Sequence, residues 1–206
     1  MEKTILIGTG NPAKLGFFAS LLKGSGYRLL SPADMHITQS PPENGKTPLE
    51  NAQQKALFYG QYAPVVFATD SGMRFDSLPA DDPRQPGLHL RSPYGKRLTD
   101  EEMLAYYAGL VRGLGGSVLA YYQDAFALKV GDTIYPFEAS REELLETAFT
   151  LRDTPVEKRV EGWPLDSISW DRFGVSFLDG GHAVTPQEAW GYLPRLRAFT
   201  WEKLGL

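Results

Sequence analysis

The chain has 206 residues, of which 42% are hydrophobic and 22% are charged, and its formal net charge is −4. We expect a single globular domain over residues 1–206, because this length and composition suffice for a substantial core. The negative charge argues against binding of a nucleic acid polymer, since such surfaces are basic. Cysteine is absent, which excludes disulfides and thiolate metal sites. No signal-peptide pattern or long apolar run is evident, so we expect a cytoplasmic protein that does not contact a membrane.

The first predicted strand, Thr4–Ile7, leads through Gly8-Thr9-Gly10-Asn11 into a predicted helix from Ala13 to Lys23. Free backbone N–H groups at the start of a helix bind anions, and Lys14 adds a positive charge in the first turn. The loop is therefore a candidate phosphate site, with contacts expected from Thr9, Asn11 and Lys14.

Two other interpretations of this loop stay open. The residues Gly8-x-Gly10-x-x-Ala13 match the dinucleotide-binding fingerprint loosely, which would indicate a small Rossmann-type dinucleotide binder. The acidic residue expected after the second strand is missing, however, because Tyr27–Leu30 is followed by Ser31-Pro32. The loop is equally typical of an ordinary turn between a strand and a helix.

A second helix is predicted to follow Thr47 and to extend to Tyr59. Thr47 as N-cap and Glu50 three residues later form a capping-box pattern, which by itself explains Glu50. Lys55 lies farther along the helix and shares a face with Asn51. A carboxylate in the first turn with this lysine could hold a metal ion and its phosphate, whereas a solvated helix face is the plainer alternative.

The apolar run Val65–Ala68 predicts a buried strand that ends in the polar residues Thr69-Asp70-Ser71-Gly72. A strand that ends there would place Asp70 at the carboxyl edge of an open α/β sheet, where such sheets bind ligands. The same residue types are common in turns, so an ordinary turn remains an alternative.

Patterns in the rest of the chain predict further elements with less bearing on a site. Ser77–Leu98 is predicted to be a long functional or mobile loop, and the three histidines lack metal-ligand spacing. The elements are a helix capped by Thr99, a strand at Ser117–Val130, a hairpin turn at Gly131-Asp132, a returning strand at Thr133–Glu138, a helical turn at Glu142–Glu146, a short strand at Phe173–Leu178, and a C-terminal helix opened by a capping box at Thr185–Glu188 and ending near Leu204.

Several motifs, each weak alone, follow one another in a specific order. The motifs are Gly10-Asn11-x-x-Lys14, Thr47-x-x-Glu50-Asn51-Ala52-x-x-Lys55-Ala56, Asp70-Ser71-Gly72-x-x-x-Asp76 and Pro86-Gly87. Together they resemble the inosine triphosphate pyrophosphatase (Ham1-like) family, which hydrolyses non-canonical purine nucleoside triphosphates. The resemblance covers about residues 4–88.

The chain departs from the family pattern at Thr69, where Ala-Asp-Asp-Ser-Gly has an aspartate, and near the C-terminus, where Ser-His-Arg is missing. Arg195 is the nearest match to that arginine. Residues 162–166, Gly-Trp-Pro-Leu-Asp, resemble the family's Gly-Phe-Gly-Tyr-Asp. The phosphate half of the pattern is thus retained, while base preference stays open. The base-binding residues implied by the resemblance are Ser71, Trp163, Asp166 and Arg195.

The resemblance implies a mixed central β-sheet flanked by helices in two lobes, with a nucleotide cleft between them, and a homodimer. It also implies cleavage to a nucleoside monophosphate and pyrophosphate. A triphosphate ligand needs local neutralisation, for which Mg²⁺ on Glu50 and Asp70 is expected, with Lys14 and Lys55 on phosphate oxygens. Asp70 is the candidate general base.

Two further functions remain as alternatives to this one. A Maf-like pyrophosphatase would have a related fold and act on other modified nucleotides. A non-catalytic nucleotide sensor would retain the phosphate half of the site without turnover.

Overall fold

The computed structural model describes residues 2–180 and 191–206. This described part forms seven strands and five α-helices. The strands are β1 (Thr4–Ile7), β2 (Arg28–Leu30), β3 (Val65–Phe75), β4 (Ser117–Val130), β5 (Thr133–Glu138), β6 (Phe149–Arg152) and β7 (Ser169–Trp170). The helices are α1 (Pro12–Leu21), α2 (Pro48–Tyr59), α3 (Asp100–Gly113), α4 (Arg141–Glu146) and α5 (Leu193–Leu204), with 3₁₀ turns at Pro164–Ile168 and Phe177–Asp179.

The strands hydrogen-bond in the order β2-β1-β3-β4-β6-β7, and β5 pairs with β4. β1 is parallel to both β2 and β3, with Leu6 opposite Leu30 and Val66. β4 is antiparallel to β5 and β6. The sheet is therefore mixed and, with its flanking helices, confirms the predicted α/β fold class. The nucleotide cleft stays a prediction.

Contacts divide the chain into two compact units. The first comprises Met1–Ser71, Asp124–Glu143 and Thr185–Leu206, and the second comprises Gly72–Gln123 and Leu144–Val184. The prediction of one domain over residues 1–206 is not tested by this division and stays a prediction.

In the first unit, helices cover both faces of the sheet. The Phe18 ring of α1 packs on Phe67, with ring centroids 4.8 Å apart. On the opposite face, Ala52 and Ala56 of α2 cluster with Ala68 of the same strand. Because successive strand residues point to opposite faces, Phe67 and Ala68 receive different helices. The alanines bring α2 close to the sheet, so the polar side chains beside them reach β3.

The second unit has its own core, in which α3 packs with β6 and the 3₁₀ turn at Pro164–Ile168. The capping box at Thr99 is complete: its hydroxyl accepts a hydrogen bond from the Glu102 amide, and the Glu102 carboxylate accepts one from the Thr99 amide. Such a cap stabilises a helix by about 1 kcal/mol, which explains why α3 begins as predicted. The most buried side chains in the core of the second unit include Met73, Phe75, Tyr107, Leu151 and Ile168.

Several predicted elements differ from the structure. The proposed strand at Phe173–Leu178 is wrong, because the chain there forms a 3₁₀ turn at Phe177–Asp179. β6 and β7 were not predicted, because β6 has only four residues and β7 only two. The capping box proposed at Thr185–Glu188 lies outside the described residues.

Among the helices of residues 2–180 and 191–206, none has both the length and the apolar character needed to cross a membrane.

Candidate functional site

Asp70 lies inside β3, not at its end, so the predicted end of the strand before Thr69 is wrong, and the alternative of a turn at Thr69–Gly72 is excluded as well. Its side chain points towards α2. Asp70 Oδ1 accepts a hydrogen bond from Lys55 Nζ at 2.7 Å, and Oδ2 accepts one from Asn51 Nδ2 at 2.9 Å. The Lys55 and Asp70 side chains are 10% and 14% exposed. The structure thus brings two of the predicted site residues into one largely buried ion pair.

Lys55 has a second acidic partner, because its Nζ lies 3.1 Å from Glu43 Oε1. Burial alone would lower the pKa of Lys55, but the attraction and hydrogen bonding of Asp70 and Glu43 outweigh burial and raise it. Lys55 is therefore charged at neutral pH. Glu43 was not among the predicted site residues; its exposed position in a polar loop gave no signal.

Asn51 connects that loop to β3. Its Oδ1 accepts a hydrogen bond from the Gly45 amide at 2.8 Å, while its Nδ2 donates to Asp70. A Cβ on Gly45 would lie 2.7 Å from Asn51 Oδ1, so only glycine fits there without a shift. The loop that carries Glu43 is thereby held against the start of α2.

Glu50, a predicted metal ligand, is exposed at the start of α2. Its amide donates to Thr47 Oγ1 at 3.1 Å, as the N-cap prediction requires. Its Oε2 accepts a hydrogen bond from the Lys46 amide at 2.6 Å rather than from Thr47. Capping therefore explains the position of Glu50 only in part.

The predicted phosphate loop joins β1 to α1. The Asn11 amide donates to Thr9 Oγ1 at 3.1 Å. A Cβ on Gly8 would meet Tyr59 at 2.9 Å and Ala68 at 3.1 Å, so packing accounts for this glycine without a dinucleotide. Gly8 therefore lends no support to the dinucleotide fingerprint.

Lys14 lies in the first turn of α1, and burial lowers its pKa. Four charged groups modulate this effect: the carboxylates of Asp124, Asp70 and Glu43 raise the pKa, in that order of strength, and Lys55 lowers it. Lys14 and Lys55 thus influence one another electrostatically within the first unit, and their contact with a phosphate stays a prediction.

A second polar group, around Asp124 of β4, was missed by sequence reasoning. Ser71 Oγ donates to Asp124 Oδ1 at 2.6 Å, and the Tyr192 hydroxyl donates to Oδ2 at 2.8 Å. Thr69 Oγ1 donates to the Ala125 carbonyl at 2.9 Å. The one available signal was a carboxylate within a long, otherwise mostly apolar strand. Ser71, predicted to bind a base, is thus committed to this group.

Trp163 and Asp166, also predicted to bind a base, belong to the second unit. Trp163 is 37% exposed and precedes the 3₁₀ turn that contains Asp166. Gly162, the residue before Trp163, makes two hydrogen bonds: its amide donates to Asp100 Oδ2 at 2.6 Å, and its carbonyl accepts from Arg91 Nη2 at 2.8 Å. A half-exposed indole on a fixed peptide suits stacking.

The long loop at Ser77–Leu98 contributes to a cavity of about 440 Å³ within the second unit. Pro86, Gly87 and His89 line it together with Tyr106 of α3. The loop is therefore part of a concave surface, which agrees with the interpretation that it is functional.

Arg195 lies in α5 of the first unit and is bound to Glu143, its Nε donating to Oε1 at 2.8 Å and its Nη2 to Oε2 at 2.6 Å. The guanidinium also lies 4.2 Å from the Phe137 ring centroid. Arg195 lowers the pKa of Glu143 to about 2. Its predicted contact with a base stays a prediction, because these interactions already account for its position.

No group of three or more acidic or histidine side chains suited to a metal ion occurs in the described ranges. The chemistry of the donors nevertheless suits Mg²⁺, which binds oxygen ligands and often uses one or two carboxylates with substrate phosphates and water. A carboxylate has about four acceptor positions, and the cited bonds use two of those on Asp70. Asp70 and the exposed Glu50 could therefore serve such an ion.

Comparisons with known proteins identify the family of this chain. The sequence model of the Ham1 family matches residues 5–139. A dITP/XTP pyrophosphatase of Leptospira interrogans is 30% identical over 151 residues, which are 72% of this chain and 74% of the relative. A dITP/XTP pyrophosphatase of Thermus thermophilus is 34% identical over 113 residues, 54% of this chain and 52% of the relative.

Solved structures agree in fold. The Staphylococcus aureus Ham1 protein superposes with a TM-score of 0.69 at 18% identity, covering 98% of this chain and 100% of that one. A HAM1 protein from Coxiella burnetii gives a TM-score of 0.71 at 19% identity, covering 97% and 99%. At these identities the likeness concerns the fold alone.

Proposed function

This chain belongs to the Ham1 family, and from that premise we propose that it hydrolyses non-canonical purine nucleoside triphosphates, of the ITP, XTP and dITP type. The products are the nucleoside monophosphate and pyrophosphate. The names of the relatives described above, dITP/XTP pyrophosphatases, support this substrate class.

The observation that carries the proposal is the buried pair of Lys55 and Asp70, with Lys14 in the same electrostatic environment. A triphosphate is polyanionic, and a chain of net charge −4 must neutralise it locally. Lys14 and Lys55 provide that charge. Thr9 and Asn11, in the loop before the N-terminus of α1, are the other proposed contacts to phosphate oxygens.

The proposed cofactor is Mg²⁺, held by Asp70 and Glu50. When bound, it supplies positive charge to the phosphates and acidifies nearby water. Asp70 accepts the proton of the attacking water, and Lys55 keeps the Asp70 carboxylate oriented. Asn51 prevents rotation of that carboxylate by its bond to Oδ2. Trp163 and Asp166 are the proposed base contacts, whereas contacts of the base with Ser71 and Arg195 stay predictions from the sequence, since both side chains already bond to other residues.

The homodimer and the cytoplasmic location expected from the sequence stay predictions. Neither is needed for the proposed chemistry of Asp70 and Lys55, since both residues lie in the first unit of one chain.

The test is pyrophosphate release from inosine, xanthosine, deoxyuridine and canonical triphosphates, with Mg²⁺ and with excess chelator. We expect release from the inosine and xanthosine nucleotides that depends on Mg²⁺, and at least tenfold lower release from ATP and GTP. A preference for deoxyuridine triphosphate would favour a Maf-like pyrophosphatase instead. Tight binding without release from any nucleotide would identify a sensor and refute the hydrolase.

A further inference from the structure

Asp124 has no role in the proposed mechanism, although its carboxylate is the most firmly held acidic group near the predicted phosphate loop. Both oxygens accept short hydrogen bonds, from the Ser71 and Tyr192 hydroxyls. Tyr192 is buried, and burial together with the negative charge of Asp124 raises its pKa well above the ordinary value. The tyrosine therefore stays a neutral donor, and the position of Asp124 is fixed.

α1, which carries Lys14, packs on β4, which carries Asp124. The Phe17 ring of α1 stacks on Phe126 of β4 with centroids 5.9 Å apart, and Phe18 contacts the same ring. Lys14 precedes these phenylalanines by about one helical turn, and Asp124 precedes Phe126 by two residues on the same strand face. The length of one helical turn, which separates Lys14 from the phenylalanines, is similar to the length of two strand residues, which separates Asp124 from Phe126: both are about 5–7 Å.

Electrostatics points to the same pair. Of the three carboxylates that favour the charged form of Lys14, Asp124 has the strongest influence, ahead of Asp70 and Glu43. Burial and the nearby Lys55 both oppose the charge on Lys14. Asp124 is also the one of these carboxylates without a direct bond to Lys55 among the described ion pairs.

The substitution at Thr69 gives Asp124 further significance. The family pattern quoted above has an aspartate at this position, whereas Thr69 donates its hydroxyl to Ala125, the residue that follows Asp124. This chain therefore has no carboxylate at position 69 of β3 but has one on the neighbouring strand, at Asp124, which precedes the residue that Thr69 contacts.

We propose that Asp124 is a positioning residue of the phosphate site: held by Ser71 and Tyr192, its carboxylate keeps the Lys14 ammonium charged and directed towards an anionic ligand. The inference rests on the proposed phosphate-binding role of Lys14 and extends it to a residue outside the motifs. Asp124 does not touch the ligand and acts through Lys14.

The first test measures Lys14 directly and needs no catalytic activity. Lysine signals labelled at Cε are titrated by NMR, and the Lys14 signal is assigned by its loss in Lys14→Arg. Asp124→Asn should lower the pKa of Lys14 by about one unit, because a neutral amide no longer favours the ammonium. Tyr192→Phe is the matched control: it removes a hydrogen bond but leaves the charge, so the shift should be much smaller.

The second test measures binding of inorganic triphosphate by calorimetry without metal, at pH 7 and pH 9. Asp124→Asn should weaken binding more at pH 9 than at pH 7, because a lower Lys14 pKa leaves less of the ammonium form at the higher pH. Combining Asp124→Asn with Lys14→Arg should remove the pH dependence, since arginine stays charged. If Asp124 had only a structural role, Asp124→Asn would instead weaken binding equally at both pH values.

An unchanged Lys14 pKa in folded Asp124→Asn would overturn the proposal. If that variant does not fold by circular dichroism, Asp124→Ser, which also removes the charge, replaces it. The Lys14 pKa should again fall, and an unaltered pKa would again refute the idea. A shifted Lys14 pKa in a protein that releases no pyrophosphate would refute the hydrolase function but leave the coupling of Asp124 to Lys14 established.

Discussion

Lys55 Nζ lies 2.7 Å from Asp70 Oδ1, and both side chains are largely shielded from water. The two residues come from α2 and β3, and the small side chains of Ala52 and Ala56 allow that helix to approach the strand. Asn51 donates a hydrogen bond to Asp70, and Glu43 forms a second ion pair with Lys55. Lys55 and Asp70 are therefore paired within the folded protein. Neutralising either one alone leaves the charge of the other without this partner.

Asp70→Asn should reduce pyrophosphate release by about 100-fold or more, because a general base contributes on that scale. The amide has nearly the same shape and can still accept a hydrogen bond from Lys55, while Glu43 remains as the anionic partner of Lys55. We therefore expect a folded protein with a near-normal circular dichroism spectrum. Steady-state rates with ITP are the measurement.

Asp132→Asn is the matched control for this variant, since Asp132 lies exposed in the turn between β4 and β5. It should have wild-type turnover. Turnover near wild type in folded Asp70→Asn would exclude Asp70 as the base.

Lys55→Met should destabilise the protein by about 2 kcal/mol, because it leaves the shielded Asp70 carboxylate without its cation. It should also raise the KM for triphosphates more than that for monophosphates, since a phosphate-binding charge is lost. Urea unfolding and kinetics with both nucleotide classes measure these effects.

The double variant of Lys55→Met with Asp70→Asn separates the two causes. It should regain part of the lost stability, because no shielded unpaired charge remains (Glu43 also loses Lys55 but is exposed to solvent), but it should not regain activity. An equal rise in KM for triphosphates and monophosphates would instead mark Lys55 as a residue that supports the fold alone.

Local signals made much of the fold predictable. Thr47 and Thr99 cap helices as expected, and the turn at Gly131-Asp132 joins β4 and β5 with the predicted bounds. These features depend on neighbouring residues, so one sequence suffices to recognise them. The short strands β6 and β7 depend on partners far along the chain, and their own residues carry too little pattern.

The error at Thr69–Ser71 has a specific physical cause. Three consecutive polar residues are typical of a turn, but in β3 each finds a partner on another element. Thr69 bonds to Ala125, Asp70 to Lys55 on the opposite face, and Ser71 to Asp124. These partners lie between 15 and 56 residues away. Asp124 and Glu43 were missed for the same reason.

Glu143→Gln should weaken the protein in a pH-dependent way. Hydrogen bonding to Arg195 lowers the pKa of Glu143 from 4.5 to about 2 in the folded state. The unfolded chain therefore binds this proton first as the pH falls, so the stabilisation is complete above pH 4.5 and is lost towards pH 2. Because Arg195 is half exposed, we expect a loss of about 1 kcal/mol at pH 7. Urea unfolding should show the difference from wild type shrinking between pH 5 and pH 3.

Glu138→Gln is the control, because Glu138 contacts Arg195 through its carbonyl oxygen and not its carboxylate. It should show no such pH dependence. The ratio of ITP to GTP turnover in Glu143→Gln further tests Arg195: a changed ratio supports its predicted contact with the base, and an unchanged ratio restricts Arg195 to holding α5.

Trp163→Ala should raise the KM for ITP roughly 10-fold, because stacking of a base on an aromatic side chain contributes about 1–3 kcal/mol. Trp163→Phe should recover most of this loss, since it retains an aromatic face on the peptide held by Asp100 and Arg91. Binding of inorganic triphosphate, which has no base, should be unaffected in both variants.

Phe173→Ala is the matched control: Phe173 is also in the second unit and is 69% exposed, so its removal should leave the KM unchanged. Equal losses for ITP and inorganic triphosphate would show that Trp163 supports the loop and does not contact the base.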